Sequence, residues 1–231
     1  MRARSQRLKS HCLMPHQAAA VADRADPAIA LRPMPAVMPR ALVVGASTGG
    51  PQALSEICAG LGAVVDRAPI LIVQHMPAPF TAILAEHLSR AAGRPVCEAE
   101  DGVLIRPGRI FVAPGDRHLR VQRGSDGVVA MLDDAAPVHF CKPSVDILFS
   151  SSAEVWGKAL CGLTLTGMGA DGAAGAAAIV QAGGSIIAQD EATSVVWGMP
   201  GAVVRSGLCS AVLPLPAIAP ALTRLFAGER P

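Results

Sequence analysis

The stretch Val43-Val44-Gly45-Ala46-Ser47-Thr48-Gly49-Gly50-Pro51 restricts this chain's fold more than any other. An apolar run feeds a short glycine-rich turn, and Pro51 then opens a segment with helical spacing. Proline suits the first helical position, because the N–H it lacks has no partner within a helix. A buried strand, a tight turn and a helix form half of a β-α-β unit, so the pattern points to an α/β protein. A hydroxyl in such a turn lies on the rim of the sheet, beside free N–H groups at a helix N-terminus. Those donors can hold an anion, or the oxyanion formed when the hydroxyl attacks a carbonyl. Ser47 is read as that nucleophile. The rival reading is a phosphate cradle. Gly45, Gly49 and Gly50 do not make G-x-G-x-x-G, and no Gly-Lys-Ser/Thr follows.

The same strand-turn-helix rhythm returns along the chain. Hydrophobic residues make up 51% of its 231 residues and aromatics only 3%, so Ala, Val, Leu and Ile must build the core. Such a core suits buried parallel strands under small-residue helices. Ala41–Gly45 reads as the first strand and Gln52–Leu61 as a helix. Pro69–Val73 reads as the second strand, ending at Gln74-His75-Met76-Pro77. Phe80–Leu88 is expected to be helical, burying Phe80, Ile83, Leu84 and Leu88. From Val96 to Leu132 short runs alternate with Pro-Gly and Ser-Asp-Gly turns, which predicts a small antiparallel hairpin excursion at the sheet edge.

Ser144 is read as the N-cap of a helix turning Val145, Leu148, Phe149 and Val155 inward. Ala159–Leu165 is the third core strand, ending in Thr166-Gly167-Met168-Gly169-Ala170-Asp171-Gly172. Ala173–Gln181 reads as a helix, Ser185–Ala188 as a strand and Ala202–Ser206 as a helix. Ala211–Leu213 then reads as a strand and Leu215–Phe226 as a closing helix. The expected whole is a doubly wound, mostly parallel sheet over residues 41–231. Residues 1–40, broken by five prolines, are expected to be a flexible N-terminal tail, with a marginal helix at Ala18–Ala25.

Several classes of function fall away. A net charge of +2 gives no case for nucleic acid. None of the apolar runs reaches the roughly 20 residues of a membrane span. The six cysteines show no Cys-x-x-Cys and no zinc-finger spacing, so a reduced, cytoplasmic setting is expected and no metal site is assigned.

Three core strands end in polar or glycine-rich turns, with Ser47 after the first, His75 after the second and Asp171 after the third. In an open parallel sheet the carboxyl ends of the strands line one crevice, so these distant residues can meet. Together they are what a nucleophilic hydrolase requires: a hydroxyl, an imidazole to take its proton, and a carboxylate to orient the ring.

Five motifs then carry a resemblance. They are Gly45-Ala46-Ser47-Thr48-Gly49-Gly50-Pro51, Gln74-His75-Met76-Pro77, Lys142-Pro143-Ser144-Val145-Asp146, Leu165-Thr166-Gly167-Met168-Gly169-Ala170-Asp171-Gly172 and Ala188-Gln189-Asp190-Glu191-Ala192-Thr193-Ser194. In this order they resemble the catalytic domain of the bacterial chemotaxis protein-glutamate methylesterases, over about residues 41–227. The resemblance implies a triad of Ser47, His75 and Asp171, with backbone N–H groups near Thr48 and Met168 stabilising the oxyanion. It implies hydrolysis of glutamate γ-methyl esters, and deamidation of glutamines, on the cytoplasmic helices of methyl-accepting chemoreceptors. No cofactor is needed. The residues ahead of 41 are too few and too broken to form the receiver domain of well-known members, so a separate response-regulator protein is a further expected partner. At His87, Lys142, Trp197 and Gly201 the chain departs from that pattern, where arginine or, at 197, tyrosine is expected. His87, His118 and His139 are read as surface or packing residues, Asp146 and Asp190 as structural partners, and Thr193 and Ser194 as shaping the cleft.

Overall fold

The computed structural model describes residues 29–229. Strand β1 (Ala41–Ala46) is buried at every position, and its side chains alternate between two cores. Leu42, Val44 and Ala46 face one, while Ala41 and Val43 face the other. That two-residue period with apolar groups on both faces marks a strand in the middle of a covered sheet. Helix α1 (Gly50–Ala59), the short α2 (Gly62–Val65), β2 (Ile70–Gln74) and α3 (Ala78–Ala92) follow. The chain then forms β3 (Val96–Glu98), β4 (Leu104–Ile105), β5 (Ile110–Val112), β6 (His118–Gly124) and β7 (Gly127–Asp133). Helix α4 (Val145–Trp156), a 3₁₀ turn (Gly157–Ala159), β8 (Leu160–Thr164), α5 (Ala173–Gln181) and β9 (Ser185–Gln189) lead to α6 (Met199–Arg205), β10 (Ala211–Leu213) and α7 (Leu215–Phe226).

Seven strands form a parallel sheet in the order β10-β9-β8-β1-β2-β5-β3. Helices α1, α2, α3 and α7 cover one face. Helices α4, α5 and α6, with the antiparallel sheet β4-β7-β6, cover the other. The chain leaves β1 towards β2 on one side and later returns to β8 on the other. The crevice at the carboxyl end of β1 is therefore the topological switch point, where open α/β sheets hold their ligands. Register does the rest. Ala46 stands opposite Gln74 and Gly45 opposite Thr164, so Ser47, His75 and the turn after β8 leave the sheet at one level.

The doubly wound reading holds, with three corrections. The run Ile110–Val112 and the unforeseen strand Val96–Glu98 are parallel strands of the main sheet. Only β4, β6 and β7 form the antiparallel excursion. In α3 the buried stripe is Thr81, Leu84, Ala85, Leu88 and Ala92, whereas Phe80 and Ile83 are exposed. Helix α3 begins two residues earlier than expected. Its inward face follows the Thr81–Leu84–Ala85–Leu88 spacing rather than its largest side chains. Helix α2 was also missed, being a single turn. Of the expected tail, residues 29–40 lie along the domain: Arg32 N–H donates to Cys209 O (2.8 Å) and Arg40 N–H to Ala159 O (2.7 Å). The expected Ala18–Ala25 helix lies outside the described residues.

Candidate active site

Ser47 follows the last residue of β1 directly, and backbone contacts on both sides hold it. Its N–H donates to Thr166 O (3.0 Å), and its carbonyl accepts Gly50 N–H (2.8 Å). Gly49 takes φ 80°, a left-handed conformation that costs other residues about 1–2 kcal/mol. A Cβ there would also lie 2.7 Å from Val195. The turn after β8 comes equally close, since a Cβ on Gly167 would stand 2.8 Å from the Ser47 Cβ. Glycine at 167 thus lets the turn that carries Met168 touch the turn that carries Ser47. The N–H groups of Thr48 and Met168 have no acceptor among the described residues, so both remain free to donate.

Gln74 is a residue the sequence reading passed over. It is buried, and its Nε2 donates to the carbonyls of both Ser47 (2.9 Å) and His75 (3.1 Å). One amide therefore ties the serine turn to the histidine turn. The available signal was an amide closing a wholly apolar strand, where a buried polar group must find partners.

His75 Nε2 lies 2.8 Å from Asp171 Oδ2. The carboxylate accepts three further hydrogen bonds: Val145 N–H (2.7 Å), Asp146 N–H (3.0 Å) and Ser144 Oγ–H (2.9 Å). Burial alone would raise this carboxyl's pKa. The bonds from His75, Val145, Asp146 and Ser144 outweigh burial and hold it below the usual range, so Asp171 stays ionised. Asp171 caps the N-terminus of α4, where a negative charge also meets the helix dipole favourably. Ser144 is the residue preceding that helix, but its hydroxyl serves Asp171 instead of capping α4 itself. With Asp171 accepting a hydrogen bond from Nε2, the imidazole lone pair lies on Nδ1.

A second carboxylate stands behind the first. Asp146 Oδ1 accepts Gly175 N–H (2.7 Å), joining the start of α4 to the first turn of α5. Burial raises its pKa; the Gly175 N–H opposes that, and the neighbouring Asp171 charge adds to it. Its structural role agrees with expectation. His118 is fully buried and accepts Ser144 N–H on Nδ1 (3.1 Å), so it positions Ser144 rather than filling space. His87 and His139 are exposed. Thr193 and Asp190 bond each other (2.6 Å), and Gln189 bridges them to Thr166, whose hydroxyl donates to Thr48 O (2.9 Å). Gly201 leaves room for Arg205, which stacks 5.9 Å from the centre of the Trp197 ring. Lys142 Nζ donates to Asp134 O (2.9 Å). Cys141, also unforeseen, places its sulfur 3.7 Å from His75 Nδ1.

A doubly wound α/β domain with a carboxylate-held imidazole beside a serine turn, all at the switch point, belongs to a recurrent class of hydrolase architecture. The family model of the CheB methylesterases matches residues 42–222. The chain belongs to that family. It is 58% identical over 199 residues to a protein-glutamate methylesterase/protein-glutamine glutaminase of Nitrobacter hamburgensis, covering 86% of this chain and 52% of that protein. A protein of the same description from Rhodopseudomonas palustris is 59% identical over 192 residues, covering 83% of this chain and 50% of that protein. The CheB methylesterase catalytic domain of Thermotoga maritima superposes with a TM-score of 0.78 at 39% identity, covering 82% of this chain and all of that one. The chain thus spans about half the length of the curated relatives it matches.

Proposed function

We propose that this chain hydrolyses glutamate γ-methyl esters, and deamidates glutamines, on the cytoplasmic helices of methyl-accepting chemoreceptors. The observation that carries the reading is the 2.8 Å His75–Asp171 pair at the rim of β2, one strand over from Ser47. It converts an ordinary imidazole into one with a fixed tautomer and an available lone pair.

His75 Nδ1 takes the proton of Ser47 as Oγ attacks the side-chain carbonyl carbon. The free N–H groups of Thr48 and Met168 receive the developing oxyanion, each worth roughly 3–4 kcal/mol of barrier. His75 then delivers its proton to the leaving oxygen, and methanol departs, or ammonia when the substrate is an amide. Water, deprotonated by the same nitrogen, cleaves the glutamyl-serine ester and restores both Ser47 and a glutamate carboxylate. Asp171 stays ionised throughout, stabilising the transient imidazolium. Ser47 Oγ has no hydrogen-bond partner among the described residues, and catalytic bonds of this kind commonly tighten only in the Michaelis complex. The reaction runs in the cytoplasm, where those receptor helices lie.

The test of the substrate uses receptors whose glutamyl methyl groups carry a radiolabel. The chain is expected to release labelled methanol from them, and ammonia from receptors bearing glutamine at the same positions. Label that stays on the receptor, while a simple ester is still cleaved, would move the activity to a different protein substrate.

A further inference from the structure

Cys141 takes no part in the hydrolytic steps, yet a specific local structure holds it against the base. Val138 and Cys141 exchange both backbone hydrogen bonds (3.1 and 2.8 Å), closing a two-residue turn. His139 and Phe140 between them sit at φ 50° and 63°, as the tight hairpin turn of that kind requires. The turn delivers the Cys141 sulfur to 3.7 Å from His75 Nδ1. The ligand atoms of His75, Cys141 and Asp171 all lie within 4.8 Å of one another.

A tetrahedral zinc ion with a Zn–N bond of about 2.0–2.1 Å and a Zn–S bond of about 2.3 Å separates its two ligand atoms by about 3.6 Å. The observed 3.7 Å is that span without rearrangement. Asp171 is not a third ligand, because its oxygens already accept four hydrogen bonds. Its place is behind the imidazole. A carboxylate that holds one ring nitrogen while the other meets the metal is the usual support of a zinc-bound histidine. Imidazole with thiolate selects zinc and its thiophilic neighbours over magnesium or calcium.

We infer that His75 Nδ1 and Cys141 Sγ form a chelating site for a thiophilic divalent cation of the zinc class, and that an ion bound there switches the hydrolase off. Water completes the coordination. The Cys141 thiol gives up its proton to solvent as the S–metal bond forms. The ion occupies the lone pair that would have accepted the Ser47 proton, so no nucleophile is generated. Burial, with added repulsion from the Asp171 and Asp146 charges, pushes the free thiol up to about 11. The same negative charges favour a cation between thiol and ring, and binding tightens as pH rises. The inhibitory half of this inference rests on the hydrolase reading. The binding half does not.

Binding is measured without substrate, by titrating Cd²⁺ alone into the full chain and following thiolate-to-cadmium ultraviolet absorption. Cys12 and Cys97 are first replaced by serine; Cys58, Cys161 and Cys209 are buried. One equivalent is expected to saturate the band, Zn²⁺ to displace it, and either Cys141→Ser or His75→Gln to abolish it. A band that survives Cys141→Ser, or none in the parent, overturns the site. Zn²⁺ is then added to the esterase assay, comparing activity with and without the ion within each variant. At a concentration saturating the cadmium-competition curve, Zn²⁺ is expected to lower parent activity at least about tenfold, and the Cys141→Ser protein less than about twofold. Equal sensitivity in the two overturns the inhibitory role, even where binding stands. A chain that binds cadmium as expected but hydrolyses nothing with or without zinc separates failure of the hydrolase reading from failure of the site.

Discussion

Asp171 holds an imidazole, two N–H groups of a helix terminus and a serine hydroxyl with one carboxylate. Replacement by asparagine therefore tests two functions at once. An amide can no longer fix the proton on Nε2, and kcat is expected to fall by about 10⁴-fold. Stability changes with a definite sign. The folded carboxyl titrates below its unfolded value of about 3.9, so ionised Asp171 stabilises the fold above that pH. The contribution disappears as pH falls through the lower folded value. Thermal melts between roughly pH 2 and 5 are expected to steepen toward acid in the parent and to flatten in Asp171→Asn. Asp146 runs the other way, because burial raises its pKa. Its share is present below the unfolded value and lost as pH rises through the folded one. Ser47, His75 and Asp171 stand out in the sequence because each follows a core strand, Ser47 and His75 closely and Asp171 across a glycine-rich turn. The ring orientation does not, since it depends on which side of the imidazole the N-terminus of α4 presents.

Among the elements, strand ends were more legible than helix faces. The strands are short apolar runs stopped by glycine or polar residues, and every residue of β1, β2, β8 and β9 is buried, so hydropathy alone marks them. Helix α3 misled because its large residues Phe80 and Ile83 face outward while Thr81 and Ala85 pack in. Only the direction of the neighbouring strands determines which face is inner. Strand β5 belongs to the main sheet rather than to the expected excursion, and β3 goes unforeseen, for a related reason. A three-residue run cannot announce whether its partner is parallel and distant or antiparallel and local. The turn after β8 makes a sharper claim. A methyl group on Gly167 would sit 2.8 Å from Ser47 Cβ and 2.4 Å from the Met199 sulfur. Gly167→Ala is expected to lower kcat at least about tenfold while the protein still folds, because displacing this turn weakens the Met168 donor, whose full loss costs roughly 3–4 kcal/mol. Circular dichroism and kinetics on the same preparation check both halves. Gln74→Ala removes the amide joining the Ser47 and His75 carbonyls. A loss of about 1–3 kcal/mol in urea unfolding is expected, with a larger proportional loss of activity than of stability.

At the scale of the whole molecule, one sheet separates two apolar cores, and the site sits where the chain changes direction between them. Fold and site therefore share residues. Leu42 is fully buried in β1, and Leu42→Ala is expected to cost about 2–5 kcal/mol, read as a lowered urea midpoint with no shift in KM. The relatives at 58 and 59% identity are about twice as long as the stretch they share with this chain. The central claim is that Ser47, activated by His75 and Asp171, carries the hydrolysis. Methanol release from methylated receptor by Ser47→Ala tests it most directly, with matched melting curves showing an intact fold. The account predicts a fall of at least about 10⁴-fold. Release within a fewfold of the parent would contradict it.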